Sequence, residues 1–344
     1  MLIELPISKS IANRLLILQA IHGDELMPVS DSMPDDVRIM SEAIGLLGER
    51  LKARIDLGNC GTAMRFLTAY CAQLEGQTVI LDGIERMHHR PIGQLVDALR
   101  EIGADIEYLS KEGFPPLKIK GCILDKHRIV TINNPQSTQF VSAMFLIGAN
   151  AQTNSTSPYI TLTRELIQRY TTLHNSTQRY TIEKDWSSAA FWYEYVALHG
   201  GEITLPGIYR NSLQGDKVVA DIFTHLGVYT EYTAEGITLS PHRLIASSPF
   251  AYNFSNCPDL YPAVALTCER LGIELHATGT DSLPLKESDR LRAIREHSTN
   301  HDHRMAMALL IAGYEVDDTA CISKSYPQFL EYFNLLQRKY SSDQ

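Results

Sequence analysis

The sequence predicts a mixed α/β protein (α/β or α+β) in two domains, and three observations carry that expectation. A helix–glycine–strand pattern recurs at SEAIGLLG (41–48), VDALREIGADIEYL (96–109) and VADIFTHLGVYTEYT (219–233), where apolar residues fall at helical spacing and then alternate. Further helix copies, RELIQRY (164–170) and RLRAIREH (290–297), bring the spacing to roughly 55–70 residues and the count to about five or six α/β units. A chain of 344 residues, 44% hydrophobic and 21% charged, is long enough for two cores of ordinary globular composition.

Taken in order, LPISKSIANRLLILQAI opens the first helix, with Ser8 as its expected N-cap. Lys9, Ser10, Asn13 and Arg14 fall in its first turns, and Ser10 and Arg14, four apart, share a face. LGNCGTAMRFL (57–67) reads as a strand end, a tight glycine turn and a helix starting near Thr62. Arg65 then lies at the positive end of a helix, which is unfavourable unless an anion sits between it and the free N–H groups. In each of the three repeats the glycine after the last helical turn suits a left-handed cap. Ser137, Thr138 and Gln139 crowd a helix start after Pro135, and Asp185 precedes another at Ser187–Ser188. Lys286, Glu287 and Arg290 surround the start of the helix at 290, while Asp302 can cap a helix carrying His303 and Arg304. Lys324 stands just before a last helix in SKSYPQFLEYF. RELIQRY and RLRAIREH are not followed by the glycine and strand, so those two units read as cut short.

A single Ser or Asp cap is only local stabilisation, about 1 kcal/mol. Five or six helix starts carrying Lys or Arg against the dipole are a pattern. In a protein of formal charge −9 they point to a small substrate with several negative charges. The same net charge argues against nucleic acid or an anionic membrane as partner. No apolar run reaches the length of a transmembrane helix, and MLIELPISKS lacks the character of a leader, so a cytoplasmic protein is expected. Six cysteines (Cys60, Cys71, Cys122, Cys257, Cys268 and Cys321) lack C-x-x-C spacing and read as reduced thiols.

The order and spelling of these segments resemble the EPSP synthase family of enolpyruvyl transferases. The resembling stretches include SKSIANR (8–14), LGNCGTAMR (57–65), RMHHRPIGQLVDALREIGA (86–104), STQFVSA (137–143), KDWSSAA (184–190), NSLQGD (211–216), LKESDRLRAI (285–294), DHRMAMALLIAG (302–313) and SKSYPQF (323–329). The resemblance implies an inside-out α/β barrel in two domains of repeated βαβαββ units, with helix N-termini facing an interdomain cleft. It places a shikimate-phosphate and phosphoenolpyruvate (PEP) domain at 8–183 and a second domain at 1–7 and 184–344. The implied reaction moves the enolpyruvyl group of PEP to the 5-hydroxyl of shikimate 3-phosphate through a tetrahedral ketal. No metal or organic cofactor is required, and the family is usually monomeric.

Residue by residue, the resemblance assigns Lys9, Asp259 and Glu287 to catalysis, Glu287 as the acid/base at the methylene carbon and Asp259 as a candidate base. It assigns Ser10, Arg14, Ser137, Thr138, Gln139, Thr156, Tyr159, Asp259, Ser282 and Lys286 to shikimate 3-phosphate. It assigns Lys9, Gly61, Thr62, Arg90, Gln139, Arg290, Arg304 and Lys324 to PEP. Thr138 and Thr156 stand where the family usually has serine, and Ser282 where an asparagine often sits. On this reading Gly61 is bare because a PEP phosphate lies against its turn. The pocket then also admits glyphosate, although Phe66 stands where sensitive members commonly have proline. The histidines at 88–89 and 301–303 lack carboxylate spacing for a metal.

The chain is shorter than the resembling family by several tens of residues. The pieces fall after Gly48, around 150–155, after Tyr170 and between His297 and Asp302. A parallel crossover needs a dozen or more residues, so the last gap cannot hold the strands of the repeat. Every gap lies between motifs, as in segments joined across absent loops and strands, the alternative being natural trimming. The related UDP-N-acetylglucosamine enolpyruvyl transferases usually add a reactive loop cysteine, which none of the six matches. A non-catalytic sugar-phosphate binder would not need Lys9, Glu287 and Lys324.

Overall fold

The structure, a computed structural model, describes residues 1–49, 52–174 and 181–341. The chain divides into a first unit of Met1–Lys9, Ser30–Asp35 and the residues from Ile182 onward, and a second unit of Ser10–Val29 and Asp36–Thr181.

The second unit follows α1 (Lys9–His22) and α2 (Asp35–Glu49) with β1 (Lys52–Asp56), α3 (Gly61–Ala72), β2 (Thr78–Asp82), α4 (Gly93–Glu101), β3 (Asp105–Tyr108) and β4 (Leu117–Lys120). These last six elements are one complete βαβαββ repeat. Its sheet runs β1-β2-β4-β3, with β1 and β2 parallel and the other pairs antiparallel. Next come β5 (Val130–Thr131), α5 (Thr138–Leu146), β6 (Ala151–Gln152) and α6 (Pro158–His174), a βαβα half-repeat whose two short strands pair in parallel.

The first unit repeats this scheme. After α7 (Trp186–His199) come β7 (Ile203–Pro206), α8 (Val219–His225), β8 (Val228–Tyr232) and β9 (Gly236–Pro241), paired in the order β7-β9-β8. The N-terminus supplies the missing first strand: Leu2 bridges Thr204 in parallel, with Ile3 N donating to Thr204 O at 2.9 Å. A second half-repeat follows as β10 (Phe250–Asn253), α9 (Tyr261–Arg270), β11 (Leu275–Thr278) and α10 (Arg290–Glu296), again with a parallel pair. The chain ends with α11 (His303–Ile311) and α12 (Phe329–Ser341). The two copies read as cut short are therefore half-repeats: no strand is described between α6 and α7, nor between α10 and α11. Among the described residues the sheets have four, three, two and two strands, and none closes on itself.

The cores explain which helices hold still. The run WSSAAFWYEYV of α7 has no polar stripe and is buried on every side, Trp186 and Trp192 completely. α3 is likewise buried from Ala63 to Ala72. Two expectations change. Gly103 and Gly227 take positive φ after α4 and α8, but Gly48 does not; α2 runs through it to Glu49, because glycine permits a left-handed cap without requiring one. Ser8 does not cap α1. Its hydroxyl is buried without a partner, and the helix start is fixed instead by Ser8 N donating to Glu183 O at 2.9 Å. No described helix is long and apolar enough to cross a membrane.

Candidate active site

In the second unit the site begins at the start of α3. Cys60 precedes it without a side-chain cap bond, which leaves the first-turn N–H groups to other acceptors. A Cβ built on Gly61 would lie 2.5–2.6 Å from the guanidinium of Arg90. Arg90 is buried, donates from Nη1 to the Asn59 carbonyl at 3.3 Å, and has no partner at Nε. A methyl at Gly61 would therefore displace the Arg90 guanidinium, the end of a flexible side chain. Arg65 meets Gln139 Oε1 at 2.7 Å and lies 5.6 Å over the Phe140 ring. Gln139 passes the connection on, donating from Nε2 to Thr62 Oγ1 at 2.8 Å. Ser137 caps α5 by accepting from Gln139 N, with Thr138 as the first helical residue.

Arg14 occupies the other end of this half. It is 2% exposed and donates to three neutral oxygens: Ser10 O at 2.7 Å, Thr163 Oγ1 at 2.7 Å and Ser142 Oγ at 3.2 Å. Thr163 Oγ1 is also 2.8 Å from Tyr159 O and 2.9 Å from Ser142 Oγ. With one proton, Thr163 can donate to Tyr159 O and accept from Ser142. Burial lowers the Arg14 pKa to about 10, partly opposed by Tyr159. The guanidinium nevertheless stays charged at neutral pH, and the polar partners it shows are all neutral.

The first unit gathers charges of both signs. Asp259 Oδ1 accepts from Arg290 Nη1 at 2.8 Å and lies 3.1 Å from Lys286 Nζ, while its Oδ2 accepts from Arg304 at 3.0 Å. Arg290, 1% exposed, also binds Glu287 at 3.1 Å and Asp302 at 2.8 and 3.3 Å. Asp302 caps α11 by accepting from Arg304 N at 3.0 Å and takes a fourth bond from Ser288. Burial would raise the Asp259 pKa, but Arg304, Lys286 and Arg290 outweigh it and hold that carboxyl well below its ordinary range. Asp216 behaves oppositely. Burial and the negative Asp259 push it up to about 6, although Ser187 donates a hydrogen bond to it. His303 is fully buried with neither ring nitrogen bonded. Burial, with the positive charges of Lys9, Arg304 and Lys324, holds it neutral, well below 6.5. Arg304 keeps one buried nitrogen, Nη1, without a partner. Arg90 Nε in the second unit and Arg304 Nη1 in the first are thus among the buried donors lacking an acceptor, a costly arrangement that a bound anion would relieve.

A family model described as EPSP synthase (3-phosphoshikimate 1-carboxyvinyltransferase) matches residues 29–297 and 295–333. The chain belongs to the EPSP synthase family. A 3-phosphoshikimate 1-carboxyvinyltransferase of Bacteroides fragilis is 36% identical over 387 aligned positions, covering 95% of this chain and 93% of the relative. One from Colwellia psychrerythraea is 30% identical, covering 96% and 95%. The solved EPSP synthase of Acinetobacter baumannii matches with a TM-score of 0.64, covering 97% of this chain and 95% of that one; at 18% identity it speaks for the fold. An alignment of 387 positions against a chain of 344 residues means that the EPSP synthase relative carries several tens of residues that are lacking here.

Within each unit, the structure gathers most of the residues singled out from the sequence. Ser10, Arg14 and Tyr159 share one network, and Thr62, Gln139 and the capping Ser137 another, with Gly61 against Arg90. Asp259, Lys286, Glu287, Arg290 and Arg304 form one cluster, with Lys9 and Lys324 close enough to act on His303. Thr156 is exposed in the loop before α6, and Ser282 is half-buried before the turn Leu283–Leu285; neither joins these networks through a hydrogen bond shown here. Sequence reading missed Asp302 as the arginine anchor, Ser142 and Thr163 around Arg14, and Asp216. Only the four-residue spacing of Tyr159 and Thr163 hinted at the second of these.

Proposed function

We infer that this chain transfers the enolpyruvyl group of PEP to the 5-hydroxyl of shikimate 3-phosphate, yielding 5-enolpyruvylshikimate 3-phosphate and phosphate. Family membership and the names of its relatives support the reaction. The observation that carries it into the site is the set of buried cations whose charge is met by neutral atoms or divided among carboxylates: Arg14, Arg90, Arg290 and Arg304. Phosphate and carboxylate oxygens are the natural complement of such guanidinium groups.

On this reading the second unit contributes Ser10, Arg14, Ser137, Thr138, Thr156 and Tyr159 to shikimate 3-phosphate and Gly61, Thr62 and Arg90 to PEP, with Gln139 serving both. The first unit contributes Asp259, Ser282 and Lys286 to shikimate 3-phosphate and Lys9, Arg290, Arg304 and Lys324 to PEP. The 5-hydroxyl loses its proton and attacks C2 of PEP while C3 gains a proton. Loss of phosphate and of one methyl proton then restores the double bond. Glu287, which accepts from Arg290, exchanges the proton at C3 on this reading. Asp259 is a poor base while three cations hold it; PEP oxygens that draw Arg290 and Arg304 away would raise its basicity as the reactants assemble. In this proposal the units keep the family's inside-out arrangement, act as a monomer in the cytoplasm, and need no cofactor, nucleic acid or membrane.

The test is phosphate release on mixing the protein with PEP and shikimate 3-phosphate, each omitted in turn. Release requires both. Release without shikimate 3-phosphate, or none with both, contradicts the assignment.

A further inference from the structure

We propose that Phe66 is a positioning residue for Arg14, and through it for shikimate 3-phosphate. The inference rests on the substrate reading above. Phe66 lies on α3, 1% exposed, and the Arg14 guanidinium carbon sits over its ring, 5.2 Å from the centroid. Three bonds to Ser10, Thr163 and Ser142 fix Arg14 through its N–H groups. Hydrogen bonds made by a planar guanidinium lie in its plane and leave its faces uncovered. The ring supplies a packing surface and a negative π face for a buried cation whose hydrogen-bond partners are all neutral.

The placement is specific. Phe66 is four residues after Thr62, so both project from the same side of α3. Thr62 is bonded to Gln139, and Phe66 carries Arg14. One buried helix thus sets both ends of the second unit's half-site. The next cation repeats the device, because Arg65 lies over Phe140 of α5. An aliphatic residue at 66 could fill the volume but would present no π face.

The test separates packing from the cation–π contact. Site-specific incorporation of mono-, di- and trifluorinated phenylalanine at position 66 keeps the shape and progressively removes the ring's negative face. The dissociation constant for shikimate 3-phosphate, read by calorimetry, and its KM should rise stepwise, to roughly tenfold for the trifluorinated ring. The KM for PEP and kcat should move less than twofold. Phe66→Leu should raise the shikimate 3-phosphate KM comparably. A shikimate 3-phosphate constant that stays flat across the fluorinated series overturns the proposal, as does a PEP KM that rises as much. Failure of the substrate reading is distinct: the unsubstituted protein would then bind no shikimate 3-phosphate in the same calorimeter.

Discussion

Glu287 shows how much chemistry one side chain can lose without losing its place. Its Oε2 accepts from Arg290 at 3.1 Å, and an amide oxygen can accept the same bond. Glu287→Gln should therefore keep substrate binding while kcat falls by roughly 10²–10⁴, the usual span for a lost acid/base. A kcat within a few-fold of wild type removes Glu287 from proton transfer. Gly61 makes the complementary case, where adding one carbon acts through a neighbour. The new methyl of Gly61→Ala would meet the Arg90 guanidinium at 2.5–2.6 Å, so Arg90 must shift by roughly 1 Å to reach ordinary contact. The expected outcome is a PEP KM about tenfold higher and weaker competition by glyphosate, with a smaller change for shikimate 3-phosphate. If Arg90 is the obstacle, the effect shrinks in an Arg90→Lys background, whose head group is not a planar fork. Equal effects in both backgrounds would return the cause to the ligand itself.

Single contacts of this kind depend on helix starts held in place, and the starts are not equal. Asp302 caps α11 while binding buried Arg290 twice and Ser288 once; Asp289 caps α10 at the surface with one bond to Arg292 N at 3.1 Å. Asp302→Ala should cost about 2–4 kcal/mol by urea denaturation, because it removes the cap and leaves buried Arg290 Nε without an acceptor while Asp259 and Glu287 still balance the charge. Asp289→Ala should cost about 1 kcal/mol, the value of a cap alone. Equal losses would show that the arginine network adds nothing beyond capping. The contrast also marks what the sequence made legible. Asp302 was visible as a cap, since N-cap chemistry is local and depends on a few neighbouring residues; Asp289 was not singled out. That Asp302 anchors Arg290 depends on where α10 and α11 stop relative to each other, which no spacing encodes. Helix–strand repeats were legible because periodicity is local, and so was the cutting short of two copies, now seen as half-repeats. Gly48 was misread because glycine marks where a cap is possible, not where the helix ends. Arg90 beside Gly61, 29 positions away in the chain, could not be read from either segment alone.

Across the molecule, stability should depend on pH through groups of opposite sign, among them His303, Asp259 and Asp216 of the first unit. His303 is held neutral in the fold, its pKa well below 6.5, so the unfolded chain binds more protons near pH 6 and stability falls as pH drops through that range. Asp259, held well below 3.8, contributes stability that is present above that value and lost as the medium becomes more acidic still. Asp216 runs the other way. Its folded pKa is raised from 3.8 to about 6, so between those values the folded form binds the extra proton. Its contribution is present at the acid end and lost as pH rises toward 6. Over that window His303 opposes Asp216, while buried Glu194, whose carboxyl is also pushed up, adds to the Asp216 side. Asp216→Asn removes one member of the opposition while leaving an oxygen for Ser187 to donate to. The variant's Tm relative to wild type should therefore climb between pH 4 and about 6 and then level off, because a neutral amide avoids the charging that burial and Asp259 oppose. Thermal melts of both proteins across pH 4–8 in one buffer series decide it: a constant gap means Asp216 is ionised throughout, and the buried pair with Asp259 does not store the repulsion assigned to it.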